Sequence, residues 1–420
     1  MEPTETTESG LLRRLAIDLG PLRRYPAFRS LFVGQTISTF GSEIAAVAAP
    51  FQLYQLTHST LQVGLLSLCE LFPLLTLTIV GGALADAVDR RRLLFVTEVL
   101  LAVVALGFAA NASLAQPRVW AIYVLVTLSM SIFSLGVAGM STAIPRLVEH
   151  HELAAANAIE NVYGSTTNVA GPALGGILIA ALGLRGAYLL DAATFTASLW
   201  SVWRLPPLPP ARDAERPSLR TIAEGFRFVR RTKVLLGMFL VDSNAMVFGM
   251  PRALFPALAI HRFGGGAGIL GLMYAAPYAG AFVSSVLSGW IGHTRRRGLI
   301  VAIAAALWGV AIAAFGFAGS LWLALLLLAA AGAADNVSAV VRGTILWTVT
   351  PDHLRGRVSG IEFAQVAATP ALGNVEAGIV ASLTSLRFSI VSGGLACIAG
   401  TVVIALAVPA FTRYDARARA

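Results

Sequence analysis

The chain has 420 residues, of which 56% are hydrophobic and only 13% are charged. A soluble globular protein carries about 25% charged residues, so the composition excludes a soluble enzyme, a disordered regulator and a secreted disulfide scaffold. The formal net charge of +9 does not indicate a nucleic-acid partner, because the basic residues stand in short clusters between apolar runs, as topology signals do. The composition therefore indicates a polytopic membrane protein.

Apolar segments long enough to cross a bilayer recur along the whole chain. About 20 apolar residues span the roughly 30 Å hydrocarbon layer, and helices satisfy all their backbone polar groups within that layer. The sequence therefore predicts an all-α polytopic membrane protein with twelve transmembrane helices. The predicted spans are 29–53, 61–85, 93–114, 119–141, 154–182, 186–203, 234–258, 267–291, 298–318, 320–342, 358–385 and 388–411.

Positive charges lie mostly on one side of the predicted spans. Arginines cluster before span one, in every second loop and after span twelve. The remaining loops carry only four of them: Arg118, Arg185, Arg262 and Arg387. Because cytoplasmic loops hold the excess of Lys and Arg, the sequence predicts a multi-pass protein of the inner (cytoplasmic) membrane with both termini in the cytoplasm. Arg342 is assigned here to the loop after span ten, which leaves Arg252 as the single base inside a span.

One sizeable linker, 204–233, divides the spans into two sets of six. It begins with four prolines and continues as an amphipathic segment, SLRTIAEGFRFVRR. The loop after span two, GGALADAVDRRRLLFV, is matched after span eight by SGWIGHTRRRGLIV, so the two sets are predicted to be six-helix pseudo-repeats with the substrate path between them. The predicted parts are a cytoplasmic tail (1–28), a six-helix bundle (29–203), the linker with its amphipathic helix (204–233), a second six-helix bundle (234–411) and a cytoplasmic tail (412–420).

The loop after span two resembles the signature of the major facilitator superfamily, Gly-x-x-x-Asp-Arg-x-Gly-Arg-Arg. Gly82, Asp86, Arg90 and Arg91 match it, whereas Ala and Asp replace the first Arg and the second Gly of the signature. The resemblance implies the major facilitator fold, with this motif as a cytoplasmic gate. In that gate Asp86 is expected to contact the second half of the carrier, at the start of span eleven just after Arg357.

The segment GPALGGIL in span five, with Gly171, Pro172, Gly175 and Gly176, resembles part of the antiporter motif of drug exporters. The sequence around three segments resembles the enterobactin-exporter and macrolide-efflux branch of this superfamily: GSEIAAVAAPFQLYQLT, PDHLRGRVSGIEF and AYLLDAATF. This resemblance extends over nearly the whole chain. The resemblance implies a proton-coupled secondary active transporter that exports amphipathic small molecules, such as a drug, a macrolide or a siderophore, by alternating access. Its expected partners are a small-molecule substrate, protons and membrane lipids, and the chain is expected to act as a monomer.

Ionisable residues inside the predicted spans mark candidate substrate or proton sites, because a charge at a helix centre costs about 2.5–3.5 kcal/mol on insertion scales. Glu43 is the first candidate, since polar residues surround it in the middle of span one. Its position also resembles that of an acid in span one of proton-coupled multidrug exporters. Asp242 is the second candidate. The remaining candidates are Glu70, Arg252, Glu362, Gln365 and Glu376.

Span eleven carries a polar stripe on one helical face, and this stripe is predicted to face the bundle interior or a water-filled path. Its members are Glu362, Gln365, Thr369, Gly373 and Glu376. Five acids lie nearer to the ends of their predicted spans and are interpreted as hydrated or structurally paired. They are Glu98, Glu160, Asp191, Asp335 and, from the stripe itself, Glu362.

Nothing in the sequence indicates catalysis. It has no phosphate-binding loop, no metal-ligand spacing and no nucleophile–base pair, so we expect no enzyme activity, no cofactor and no metal. Two alternatives to an exporter stay open: an importer of a small nutrient, and a non-transporting membrane receptor or lipid scramblase. Uphill flux and its direction would separate the three.

Overall fold

The structure, a computed structural model, describes residues 18–209 and 219–415. Within these residues the chain forms twelve long helices, which confirms the predicted all-α polytopic membrane fold. The helices are α1 (Pro26–Thr57), α2 (Thr60–Ala87), α3 (Arg90–Ala112), α4 (Val119–Ala143), α5 and α6 (together Leu153–Trp203), α7 (Lys233–Phe248), α8 (Ala267–Val286), α9 (Arg297–Phe315), α10 (Leu321–Val349), α11 (Asp352–Leu383) and α12 (Leu386–Ala407). A shorter helix, Leu219–Arg231, lies between α6 and α7 and is called the linker helix.

Helices α5 and α6 are one continuous helical segment of 51 residues that is broken at Gly183. Gly183 has φ 69° and ψ 173°, a backbone conformation that is essentially restricted to glycine. Helix α1 contacts both parts, because Gly171 of α5 lies beside Glu43 and Asp191 of α6 lies beside Gly41. The chain therefore reverses its direction at Gly183, and the segment crosses the membrane twice.

Ten helical segments of the described residues are long and apolar enough to cross a membrane. This number is smaller than the number of helices for two reasons. Helices α5 and α6 form one continuous segment, and α1, although 32 residues long, carries enough polar residues to be less apolar than the other helices.

Exposed tryptophans mark the two ends of the bundle. Trp120 and Trp322 are 66% and 77% exposed at the starts of α4 and α10. Trp203 and Trp347, 62% and 59% exposed, lie at the opposite ends of α6 and α10. Tryptophan is enriched at both membrane interfaces, so these residues place the two membrane boundaries. We call the end with Trp203 and Trp347 the arginine end and the other the far end.

Helices α1–α6, the first half, contact α7–α12, the second half, mainly through the pairs α2–α11 and α5–α8. Near the far end, Gly176 of α5 lies against Gly271 of α8, where a Cβ atom on Gly176 would come within 2.9 Å of the Gly271 Cα. Between α2 and α11, the amide of Asn374 donates a hydrogen bond to the Ser67 hydroxyl over 2.9 Å. Small residues let membrane helices approach this closely, so the far end is sealed.

Two glycines of α2 and α11 nearer to the arginine end have no close neighbour. A Cβ atom built on Gly82 of α2 or on Gly360 of α11 would have no neighbouring atom within 4 Å. The two halves are therefore in close contact at the far end, whereas Gly82 and Gly360 are not packed against a neighbouring helix.

In each half, contacts join the segment after the sixth helix to the loop between the second and third helices. In the first half, Asp89 accepts a hydrogen bond from the Leu208 N–H over 3.2 Å. The N–H of Arg90 donates to the Leu208 carbonyl over 3.0 Å, and its guanidinium donates to the Pro209 carbonyl over 2.8 Å. In the second half, Arg296 and Asp415 form an isolated antiparallel bridge. The two sets of contacts lie roughly two hundred residues apart in the sequence, as expected of a parallel repeat.

Candidate functional site

A cavity of about 280 Å³ lies between the two halves, on the inner side of the far-end seal. Residues from α1, α2, α5, α8, α11 and the turn after α7 line it, so both halves contribute to its wall. Its polar lining consists mainly of Glu43, Glu70, Arg252, Tyr274, Tyr278 and Asn374. We call it the central cavity.

Arg252 reaches the central cavity because α7 is interrupted. The helix ends at Phe248, and Pro251, which has no N–H to donate, precedes a 3-10 turn at Arg252–Leu254. The N–H of Ala253 in that turn donates to the side-chain oxygen of Asn374 over 3.1 Å. The Arg252 guanidinium lies 5.0 Å from the centre of the Tyr278 ring, within the range of a cation–π contact. The break in α7 therefore fixes a positive charge in the cavity wall.

Two carboxyl groups of the first half line the same cavity as Arg252. Neither Glu43 nor Glu70 forms a hydrogen bond or an ion pair with another residue of 18–209 or 219–415. A second cavity, of about 290 Å³ inside the first half, is lined by the same two acids and by Asp191. Glu43 and Glu70 therefore lie in the wall between the two cavities. Ionisable groups within membrane spans typically mark ion or substrate paths when they face a cavity.

The glycines of the span-five motif position Glu43. A Cβ atom at Gly171 would lie 2.6 Å from the Glu43 Cγ, and one at Gly175 would lie 3.1 Å from the Ile44 Cα. Gly176 packs against α8, and Pro172 lines the central cavity. The motif thus joins α5 to both α1 and α8 at the level of the central cavity.

The second half contains an ion pair that the sequence analysis missed. Arg342 is buried in α10, where it pairs with Asp242 of α7, and its Nη2 lies 3.9 Å from an oxygen of Asp335. The prediction that Arg342 lies in a loop, and that Arg252 is the only intramembrane base, is wrong. Helix α10 continues through the apolar residues after Arg342 and ends at Val349.

The polar stripe of α11 faces α7 in its middle part. The Gln365 amide donates to the Asp242 carboxylate over 3.0 Å, to the Phe239 carbonyl over 2.9 Å and to the Ser243 hydroxyl over 3.0 Å. Gly373 lies against the carbonyl of Met246. These contacts fall in the bundle interior, so Asp242 belongs to a packed network with Arg342 and Gln365. Glu362 and Glu376, at the two ends of the stripe, are half-buried.

A third cavity, of about 470 Å³, lies in the first half toward the arginine end. Glu98 and Glu160 line it. Glu98 accepts hydrogen bonds from Gln35, over 2.9 Å, and from Ser198, so it is a structurally paired acid. Asp191, in contrast, is buried at the level of Glu43 and does not lie near a helix end.

The matched residues of the loop signature lie at the arginine end of α2 and at the start of α3. The guanidinium of Arg90 donates to the Thr142 hydroxyl over 2.9 Å, and Arg91 donates to the Trp203 carbonyl. Both arginines therefore form hydrogen bonds with residues of the first half. Gly82 faces open space, and the side chain of Asp86 lies outside the part of the chain that the structure describes. Its contact with the second half stays a prediction.

Within residues 18–209 and 219–415, no group of three His, Cys, Asp or Glu side chains is arranged to hold a metal ion. The polar groups that line the central cavity are two carboxyl groups, one guanidinium, two phenol rings and the Asn374 amide. Such a set can bind a solute with both aromatic and charged or polar groups.

Comparison with known proteins agrees with this architecture. The family model described as transmembrane secretion effector matches residues 16–420. The enterobactin exporter EntS of Citrobacter koseri is 32% identical over 391 residues, which cover 93% of this chain and 94% of that protein. EntS of Escherichia coli O81 is 31% identical over 389 residues, which cover 92% and 93% of the two chains.

Solved transporter structures share the fold at much lower identity. A POT family transporter in complex with 5-aminolevulinic acid has a TM-score of 0.72 at 13% identity, over 92% of this chain and 97% of that one. The nucleoside transporter NupG has a TM-score of 0.71 at 12% identity, over 92% and 99%. The twelve-helix architecture and the family match over residues 16–420 establish that the chain is a multi-pass membrane protein of the transmembrane secretion effector family within the major facilitator superfamily.

Proposed function

We propose that the chain is a proton-driven exporter that moves an amphipathic small molecule out of the cytoplasm by alternating access. The observation that carries this proposal is the central cavity, which is lined by Glu43 and Glu70 of the first half together with Arg252 of the second half. The names of the relatives support export and make enterobactin the first substrate to test. The excess of positive charge supports a cytoplasmic position for the arginine end.

In this mechanism the described conformation accepts the substrate from the cytoplasm. The contacts α2–α11 and α5–α8 seal the central cavity at the far end, and the substrate enters it from the arginine end. Outward release then requires the seal to open while the arginine end closes. A proton that moves inward across 100 mV supplies about 2.3 kcal/mol, roughly a 50-fold concentration ratio, so one titrating carboxyl group provides enough energy for export.

The function is tested by transport in proteoliposomes loaded with a pH gradient. We expect the purified carrier to accumulate enterobactin against its gradient, in the direction opposite to proton flow, and an uncoupler to abolish the accumulation. Accumulation in the same direction as protons would instead indicate an importer. Downhill lipid movement without uphill transport of any solute would indicate a scramblase.

Labelling of the linker helix tests the orientation. In a carrier with Cys69→Ser and Cys397→Ser, a cysteine at exposed Arg227 should react with a membrane-impermeant thiol reagent only from the cytoplasmic side. The reason is that the many arginines of the linker would otherwise have to cross the membrane. A cysteine at Ala115, in the exposed loop between α3 and α4, serves as the control and should react only from outside. The reverse pattern would contradict the proposed topology.

The close contact of α5 with α8 provides a test of the far-end seal. Gly176→Val should force α5 away from Gly271, because overpacking costs about 1–3 kcal/mol, and should shift the carrier toward an outward-open state. A cysteine at Ala46, which lines the central cavity, should then react about tenfold faster from outside. Gly164→Val in the same helix is the matched control, because a Cβ atom there meets no atom within 4 Å. Equal labelling of both variants would show that the Gly176 contact does not hold the seal.

A further inference from the structure

One face of the linker helix is fixed to the second half. Val229 is buried, and a Cβ atom at Gly225 would lie 3.0 Å from the Cβ of Arg357. The Glu224 carboxylate pairs with the Arg357 guanidinium over 2.6 Å. These contacts hold the helix against the first turns of α11, in a defined rotation about its own axis.

The opposite face of the linker helix is exposed and combines one aromatic ring with three cations. Phe226 is 61% exposed, and Arg227, Arg230 and Arg231 are exposed around it. The four side chains line an open groove of about 500 Å³. Within residues 18–209 and 219–415, no carboxylate pairs with any of the three guanidinium groups. The fold therefore leaves three positive charges around an unpacked ring.

The linker helix lies at a membrane boundary. Only Thr232 separates it from Lys233, the first residue of membrane-spanning α7. Trp203 and Trp347 mark the interface at the same end of the bundle. A basic helix with an aromatic residue on its exposed face binds at such an interface, because the ring enters the headgroup region while the cations contact anionic lipids.

We propose that this face of the linker helix, formed by Phe226, Arg227, Arg230 and Arg231, is a binding site for an anionic phospholipid. The arginines bind the headgroup phosphate, because guanidinium groups form charge-assisted hydrogen bonds with phosphate oxygens. The Phe226 ring contacts the upper part of the acyl chains. Charge complementarity selects an anionic headgroup, and the exposed ring selects a lipid over a free anion. The site is independent of which solute the carrier moves.

The test is lipid binding to the full-length carrier, purified in detergent and titrated with phosphatidylglycerol or phosphatidylcholine of the same acyl chains. Native mass spectrometry counts the lipids retained. We expect the wild type to retain phosphatidylglycerol in preference to phosphatidylcholine. Each arginine should contribute about fivefold to that preference, which corresponds to the interaction of one basic residue with an anionic membrane surface. The variant with R227Q, R230Q and R231Q should therefore lose it.

A matched control separates this site from general positive charge. The variant with R92Q, R295Q and R413Q removes three exposed arginines of the same end that lie outside the linker helix, and it should keep the preference. If both triple variants lose it equally, or if the wild type retains the two lipids equally, the proposal is wrong. If the first triple variant does not fold, Arg230→Gln alone should lower the preference about fivefold, and an unchanged preference would overturn the proposal.

Two further measurements distinguish a lipid from a free phosphate group. Phe226→Ser should weaken phosphatidylglycerol binding, because it removes the contact with the acyl chains. Inorganic phosphate in large excess should displace little of the bound lipid. Complete displacement by phosphate, together with no effect of Phe226→Ser, would mean that the groove binds a small anion and that the lipid site does not exist.

Discussion

A carrier with Glu43→Gln should still exchange its substrate across the membrane but should no longer concentrate it. Glu43 lies in the wall between the central cavity and the cavity inside the first half, and glutamine keeps the volume of the side chain while removing its titratable proton. We therefore expect pH-driven accumulation to fall to background, whereas exchange without a gradient stays within about twofold of the wild-type rate. The measurement is both activities in proteoliposomes, per folded carrier.

Glu376→Gln is the matched control for this prediction. Glu376 is also a half-buried acid in a membrane helix, but it does not line the central cavity, so its replacement should leave accumulation intact. If Glu43→Gln accumulates substrate as well as the wild type, Glu43 is not the proton site. Glu70 would then be the next candidate for the proton site, because it lines the same two cavities. Asp242 is less suited to this role, because it forms an ion pair with Arg342.

Replacing Arg342 with methionine should produce the largest loss of stability. Asp242, with a side chain only 5% exposed, would be left in the interior without the cation that pairs with it. Breaking a buried ion pair by removing one partner costs about 3–5 kcal/mol. We expect a correspondingly lower unfolding temperature of the detergent-purified carrier, measured by thermal denaturation, and a lower yield of folded protein.

A second substitution tests whether breaking the ion pair causes the loss of stability. Arg342→Met combined with Asp242→Asn removes the unpaired charge, so the double variant should recover a large part of the lost stability. Arg92→Met, at an exposed position of the same end, should change the free energy of unfolding by less than about 0.5 kcal/mol. A double variant as unstable as Arg342→Met alone would assign the loss to the packing of α10 and not to the charge of Asp242.

The helices and their order could be predicted from the sequence, because hydrophobic length is a local property of the chain. The predicted break between spans five and six, at 182–186, falls on Gly183, where the backbone adopts a conformation suited to glycine. Glu43, which the sequence places in the middle of the first span, lies in the wall of the central cavity. Each of these features depends on residues close together in the sequence.

The pairing of side chains from distant helices could not be predicted in this way. Asp242 and Arg342 lie on helices whose contact depends on the packing of the whole second half, and the predicted end of span ten was seven residues short of Val349. The apolar residues that follow Arg342 were the signal that could have corrected the boundary. Asn374, which joins the turn after α7 to Ser67 of the other half, carries no charge and had no distinguishing pattern in the sequence.

The hydrogen bonds between residues 205–209 and the start of α3 have a consequence for the order in which the two halves fold during synthesis. Leu205 and Leu208 are buried in the first half, and Asp89 and Arg90 bind the backbone at Leu208 and Pro209. These residues leave the ribosome directly after α6 and before any part of α7. The first half can therefore complete its contacts from its own residues while the second half is still being translated, in keeping with the general tendency of chains to fold unit by unit from the N-terminus.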